Sequence, residues 1–506
     1  MTCHYIKNGN DKWCEKFPIV LTDEDGRDYC AFHAPQGRKG LTLHEFNATV
    51  FNHINEAKRE GKACYIGGAI FEGDIDFPGF NKDSPLPSLH FSEVVFPGKV
   101  SFSNAYYKDS LMFIKTKFQK EAHFINTKIK GVFFLGAVEF QKNAVFISTE
   151  FLGPTEFMGV KFSSMANFLS ANFNGRDVSF RGCEFEDYAR FEISKFTGKT
   201  RIQQSQFKQK ANFENCKFKG EVLLEENKFA KIVSFKDAAF YSKTSIIKTI
   251  FEEKADFGNV LFSRNSFIKG ETFHDVGILT NLSIQGKLIL DGVSLKKTTL
   301  LDSDLRKIDF YNCEWYEQNG WKLLYDEVLA TTTNDNSNTS QLMGKLEILY
   351  RQLKQKYKEE NNEIEASNWH YREKEIQRKS ASSLFIKIFL NIYYIASGYG
   401  ENPRLALLVL ISLILFSTFV LSIVGLIPIN NVTQLYSASA VKWPENADFR
   451  QMIFVLNDVF KYVTFQKDAC LQPTSIIGQI VKILTQILIP IQSALFAFAL
   501  KNKFRR

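Results

Sequence analysis

Residues 146–173 read FISTEFLGPTEFMGVKFSSMANFLSANF, with Phe146, Phe151, Phe157, Phe162, Phe168 and Phe173 separated by steps of five and six residues in alternation. Neither a helix of period 3.6 nor a strand of period 2 places apolar residues this way. A coil with flat sides does, if each side contributes one large inward residue before turning a corner. Followed outward, the pattern resolves into two ladders of eleven-residue period. One runs Phe91, Phe102, Phe113, Phe124, Leu135, Phe146, Phe157, Phe168, slips by one residue, and continues Phe180, Phe191, Ile202, Phe213 to Ile268. The other runs from Phe96 through Phe151, Phe162 and Phe173, slips likewise, and continues through Phe185, Phe196, Phe207 and Phe218 to Phe273. Every rung is apolar. A small residue often stands two positions earlier (Ala122, Ala166, Ala189, Ala211, Ala255), leaving room for the next coil to stack. The composition agrees: 49 Phe against 5 Trp and 6 Met signals one structural position used many times.

These residues resemble the pentapeptide-repeat family, in a variant with one extra residue in every second unit. The resemblance implies a right-handed quadrilateral β-solenoid of about twenty-two residues per coil. Eight or nine coils stacked at about 4.8 Å give a rod on the order of 40 Å long. Residues 274–316 read as a degenerate, capping end of the same solenoid. The ladder residues, Phe191 and Phe213 among them, are core and carry no chemistry. Outward positions mix Lys, Glu, Asn, Gln and Thr, unlike the acidic surface of family members that imitate DNA. The net charge of +8 is too diffuse to indicate nucleic-acid binding.

Before the repeat, Cys3, Cys14, Cys30 and His33 are spaced C-x10-C-x15-C-x2-H. Three soft thiolates and an imidazole suit a tetrahedral structural zinc ion, which would fold a segment too polar to have its own core. Scattered reduced cysteines are the alternative, and His4 could replace one ligand. The first twenty residues lack the apolar run of a secretory signal, which assigns the cysteines to a reducing compartment.

Leu405 to Ile429 carries no charge, and its twenty-five residues at about 1.5 Å each exceed a hydrocarbon thickness of about 30 Å. Ile476 to Leu500 is a second span. Arg378, Lys379, Lys387 and Arg404 precede the first span, and Lys501, Lys503, Arg505 and Arg506 follow the second. This charge bias predicts a two-pass protein of the inner or plasma membrane with both termini cytoplasmic.

Ser397-Gly398-Tyr399-Gly400-Glu401-Asn402-Pro403-Arg404 resembles the entry to the first span of the two-transmembrane, potassium-channel-like module fused to pentapeptide repeats. Phe449 to Phe465 resembles that module's re-entrant pore helix. The resemblance implies a homo-oligomer, a tetramer, around a pore. The chain departs from the filter pattern Thr-(Val/Leu)-Gly-(Tyr/Phe)-Gly-Asp: after Thr464-Phe465 it reads Gln466-Lys467-Asp468-Ala469-Cys470, without glycine. In the second span Gln479, Gln486, Pro490 and Ser493 share one helical face. With Thr464 they are the pore-lining candidates; hydrogen bonding between helices of a poreless oligomer would use the same face.

The expected order is a Cys3His module (1–40), cap helix and first coil (41–90), solenoid (91–316), linker (317–340) and helical hairpin (341–380). An interfacial helix (381–403), first span (404–429), outer loop with the re-entrant segment (430–474), and second span with basic tail (475–506) follow. The chain has no phosphate-binding Gly-Lys loop, nucleophile elbow or His-Glu-x-x-His run, so an enzyme is not expected. The functional expectation is a channel-like membrane protein gated by a cytosolic solenoid. The alternative is a non-conducting, membrane-anchored scaffold whose solenoid binds a protein or ligand.

Overall fold

A computed structural model of the chain describes residues 2–7, 12–77, 85–270, 272–332, 336–424, 426–428, 449–464, 471–473 and 475–504. They form two compact units, Met1–Asn334 and Asp335–Arg506.

The first unit is a β-solenoid of about eleven turns. Short strands run along four columns, each parallel to and in register with the strand one coil away. Phe118 pairs with Phe140 and Phe140 with Phe162, so a coil takes 22 residues. The slip falls where Phe157 pairs with Phe180, and the strand Asp177–Arg181 absorbs the extra residue. The longest column holds twelve strands among the described residues, from Cys64–Gly67 to Ile308–Tyr311. The solenoid therefore exceeds the expected eight or nine coils. Ile66, Leu290 and Phe310 continue the Phe91 column at either end, where weaker sequence periodicity hides it.

Side chains stack as the backbone does. Phe168 lies 4.7 Å from Phe146 and 4.7 Å from Phe191, with ring planes within 4°. Phe146, Phe151, Phe157, Phe162, Phe168, Phe173, Phe191, Phe196, Phe213 and Phe218 are all buried. The corner two residues after each first-ladder rung is left-handed: Asn104, Asn126, Ser170, Asn215 and Asn259 all have φ between 52° and 59°. Asn tolerates this region and β-branched residues do not. Ile193, at φ 64° and 53% exposed, is the strained member of its row.

A four-residue helix α1 (His4–Lys7) and helix α2 (Leu43–Glu60) precede the first coil. A capping box between Thr42 and Glu45 starts α2, and left-handed Gly61 ends it. Phe46 of α2 packs edge-on against Phe71, which starts one ring stack. Residues 1–40 are not a free-standing module: Trp13, Phe17 and Phe32 form one aromatic cluster with Phe46 and His53 of α2.

The opposite end corrects the expected linker at 317–340. Asn319 and Gly320, with φ of 53° and 77°, make the turn of an antiparallel hairpin, Tyr316–Gln318 with Trp321–Leu323. Helix α3 (Tyr325–Thr332) follows. Its buried Asp326 carboxylate accepts the Leu300 N–H at 2.9 Å, satisfying an amide near the last coil. Burial raises this carboxyl from 3.8 to about 6, and Asp302 adds to the effect. A folded-state value above the unfolded one means that the native state holds the proton longer. The contribution is fully present below about pH 4 and is lost as pH rises through about 6, worth about 3 kcal/mol. Stability of the Asp326→Asn variant, measured by denaturant titration from pH 4 to 7.5, is therefore expected to fall less across that window than that of the wild type.

The second unit is helical: α4 (Asn336–Glu359), α5 (Glu363–Ser380), α6 (Leu384–Ser397), α7 (Pro403–Val424), α8 (Phe449–Val463) and α9 (Ile476–Phe504). Helix α4 begins at Asn336, before the expected start at 341. It pairs with α5 through Leu346, Tyr350, Leu353, Trp369 and Ile376. Glu373, buried between them, is paired with Arg351 at 3.0 Å and with Lys354. Helices α7 and α9 are each long and apolar enough to cross a membrane. The α7 helix stops at Val424 rather than 429. Leu426–Pro428 is extended and pairs with Leu471–Pro473, as expected of residues leading into a proline.

Candidate metal centre and membrane module

Cys3 precedes α1, Cys14 closes a short helical turn (Lys12–Cys14), Cys30 ends a strand (Asp28–Cys30), and His33 follows on the next turn. Sequence-distant as they are, all four are buried and their ligand atoms lie within 4.8 Å of one another. Cys30 Sγ is 3.1 Å and Cys3 Sγ 3.6 Å from His33 Nδ1. On the far side of the ring, His33 Nε2 lies 2.8 Å from the Gly67 carbonyl. A carbonyl oxygen only accepts, so Nε2 carries a proton; once Nδ1 gives up its own proton, the lone pair freed there faces the thiols. Tyr5 stacks on the imidazole at 4.2 Å. A Cβ at Gly67 would fall 2.4 Å from the Tyr5 hydroxyl, so this face admits only glycine without rearrangement.

Crowding makes the protons of the set interdependent. Hydrogen bonds from Cys14 and Cys30 hold Cys3 far below a thiol's ordinary range, whereas the same kind of contact with Cys3 and Cys30 pushes Cys14 far above it. Burial opposes the His33 imidazolium, yet its bonds to Cys3 and Cys30 raise it to about 9. Such a set can hold one metal ion in place of its protons. His4 is not part of it; its ring lies edge-on to Tyr29.

Lys39 is the residue that sequence reasoning missed. It is 1% exposed, and its ammonium donates to the carbonyls of Ala31 and Ala34 at 2.8 and 2.7 Å. It thus braces the turn that carries Cys30 and His33. Three thiolates around a dication would leave one net negative charge, which the Lys39 ammonium would offset.

In the helical unit, α8 buries Val455, Val459 and Tyr462 in one cluster with Leu421 of α7 and Ile489 of α9. Asp458 accepts the Leu471 N–H at 2.7 Å, and the Tyr462 hydroxyl donates to the Leu471 carbonyl. Lys482 lies over the Tyr462 ring at 4.5 Å. The pair α7–α9 shares a polar seam: Thr485 donates to Ser417 at 3.0 Å, and Gln492 donates to the carbonyls of Ala396 and Ala406 at 2.7 and 2.9 Å.

The pore-lining candidates lie beside this seam, not in it. Gln479 is exposed, and Gln486, Pro490 and Ser493 are half-buried, one residue further round the helix than Gly478, Thr485, Ile489 and Gln492. Thr464 is exposed beyond α8 and donates to the Phe460 carbonyl at 3.0 Å. The filter position, 465–470, lies outside the described residues.

Ser397 to Asn402 ties the unit together. Gly398, Tyr399 and Gly400 have φ of 57°, 61° and 78°, three left-handed residues in succession. Tyr399 is fully buried, and its hydroxyl donates to Glu375 of α5 at 3.1 Å. Asn502 of α9 donates to the Gly400 carbonyl at 3.0 Å.

Comparison with known proteins agrees with the solenoid. A family model described as Pentapeptide repeats (9 copies) matches residues 146–192. The chain therefore carries pentapeptide repeats, and the column register extends the same coil well beyond the matched segment. No curated protein and no solved structure matches the chain.

Proposed function

We propose that the chain is a two-pass membrane protein whose α7, α8 and α9 assemble as a homo-oligomer around a channel-like pore. The pentapeptide-repeat solenoid stays on the cytosolic face as the element that senses a ligand or protein. Zinc at Cys3, Cys14, Cys30 and His33 is the structural ion in this reading, since three thiolates and an imidazole are its usual closed tetrahedral set.

The observation that carries the pore is the distribution of polar groups on α9. Thr485 bonds inside the chain to Ser417 and Gln492 to the Ala396 and Ala406 carbonyls, while on the adjacent stripe Gln479 is exposed and Gln486 and Ser493 are half-buried, with part of each side chain left uncovered. An amide facing hydrocarbon is costly, so such a stripe belongs against a second copy or a water path. The packing of α8 on both spans supports the same reading, as it is the arrangement a pore helix needs. The absence of glycine from 466–470 favours the second reading, a non-conducting anchored scaffold, and argues against potassium selectivity in either case.

Ion flux from liposomes holding the full-length protein, with potassium, sodium and chloride assayed separately, tests the pore. Flux above empty liposomes that changes severalfold in Gln486→Leu is expected. No flux from either protein would leave the scaffold.

A further inference from the structure

The helical unit contains a cavity of about 470 Å³ that neither the metal centre nor the pore reading uses. Its walls come from the α4–α5 turn (Lys358, Asn361), the start of α5 (Ser367, His370), the Ser397–Asn402 turn (Glu401), and the last turns of α9. From α9 come Lys501 and Asn502.

Which of these groups is still uncommitted defines the ligand. Ser367 donates to Glu401, and Glu363, also in the lining, makes an interaction of its own. Lys358 and Lys501 form no ion pair among the described residues. Asn502 spends one amide hydrogen on Gly400 and keeps the other. Burial, reinforced by Lys354, Lys374 and Lys358, pushes His370 down to about 4, so near neutrality it is an uncharged imidazole and does not compete for an anion's counterion role. The first turn of α5 lines the same space, and an eighteen-residue helix presents the positive end of its dipole there. What is free in this cavity is therefore donors and positive charge.

We propose that the cavity binds a phosphate-bearing ligand, clamped between Lys358 and Lys501 with Asn361 and Asn502 donating to its oxygens. The site joins the cytosolic hairpin to the end of α9, and Asn502 and Glu401 belong to the contacts that hold the Ser397–Asn402 turn. Occupancy biases that turn, and through it the junction of α6 with α7. The inference rests on the membrane reading only for the source of the phosphate: at the cytosolic end of a span the nearest supply is a lipid headgroup, and a soluble phosphate is the other.

The test uses full-length protein with two probes. Inorganic phosphate is titrated against detergent-purified protein by calorimetry, and phosphatidylglycerol against phosphatidylcholine is scored by native mass spectrometry of nanodisc preparations. Wild type is expected to bind one of the two phosphate probes at least tenfold more tightly than the Lys358→Gln/Lys501→Gln double variant. Lys358→Arg/Lys501→Arg should restore most of the affinity, and Lys503→Gln, outside the cavity, should leave it unchanged. Preference for phosphatidylglycerol assigns the lipid source, and preference for inorganic phosphate the soluble one. Equal binding by wild type and double variant overturns the site, as does an equal loss in Lys503→Gln, which would mean diffuse surface charge. Carbonate extraction of the membranes from which the protein is purified, before any detergent is added, separates the two readings: release of the wild type into the soluble fraction defeats the membrane reading while leaving the phosphate titration interpretable.

Discussion

Replacing Phe168 with alanine is expected to cost the solenoid about 3–5 kcal/mol, the range for a large aromatic removed from a core that cannot collapse. Its ring stacks on Phe146 and Phe191 and meets Phe157 and Phe180 edge-on at 5.6 and 5.8 Å. The backbone prevents repair: Phe168 N–H donates to the Arg190 carbonyl at 2.6 Å, one coil on, and its own carbonyl accepts from Ser194 at 2.6 Å. Coil spacing is thus fixed by hydrogen bonds, and neighbouring rings cannot slide into the space. Denaturant titration of the full-length protein followed by far-ultraviolet circular dichroism measures the loss. Leu152→Ala, at an exposed position, should stay within about 0.5 kcal/mol. A loss below about 1 kcal/mol for Phe168→Ala would mean that the stacked rings do not hold the coils.

Loss of the metal centre should be comparably severe but confined to one end. Purified protein is expected to carry one equivalent of zinc, measured by elemental analysis, and Cys30→Ser none. In that variant, or after chelation, residues 2–40 lose the cross-link that joins Cys3, Cys14, Cys30 and His33. What then holds them to α2 includes the Trp13, Phe17 and Phe32 contacts with Phe46 and His53, the Lys16–Glu56 ion pair and the Lys39 ammonium over the Phe46 ring. Structural zinc in small domains is worth about 10–16 kcal/mol of apparent binding energy near pH 7, far more than three aromatic contacts. Limited proteolysis should therefore cut before Gly40 and leave the coils intact. Equal zinc content in wild type and Cys30→Ser would exclude this ligand set.

The phenylalanine period reveals the solenoid because each rung occupies one geometric position, and that position demands a large apolar side chain. Its ends are harder to see. Ile66 and Leu290 sit in the same column, but aliphatic residues at the rim do not stand out from other apolar sequence. The left-handed corners were partly legible, since Asn104, Asn126, Asn215 and Asn259 recur two residues after a rung; Glu93, Lys115, Ala137, Ile193 and Gln204 stand at equivalent corners and blur the signal. The hairpin at Asn319-Gly320 carries a standard turn signal that a polar-linker reading of 317–340 overlooks. At the candidate metal centre Cys3, Cys14, Cys30 and His33 declare themselves by chemistry, whereas Lys39 does not, because no sequence pattern marks a lysine that folds back onto carbonyls. On α9 periodicity locates a polar face but cannot distinguish stripes one residue apart. Gln492 and Thr485 face the chain's own α6 and α7, and Gln479, Gln486 and Ser493 lie one residue further round the helix.

The most direct measurement is protease protection of the full-length protein in sealed, inside-out membrane vesicles, combined with carbonate extraction. The account predicts a protein that resists extraction, with the solenoid and the tail beyond Lys501 both cleaved from the outside of such vesicles and a protected fragment containing α7 through α9. Release by carbonate, or cleavage of only one of the two termini, would contradict a two-pass anchor that holds the solenoid and the C-terminus on the cytosolic face.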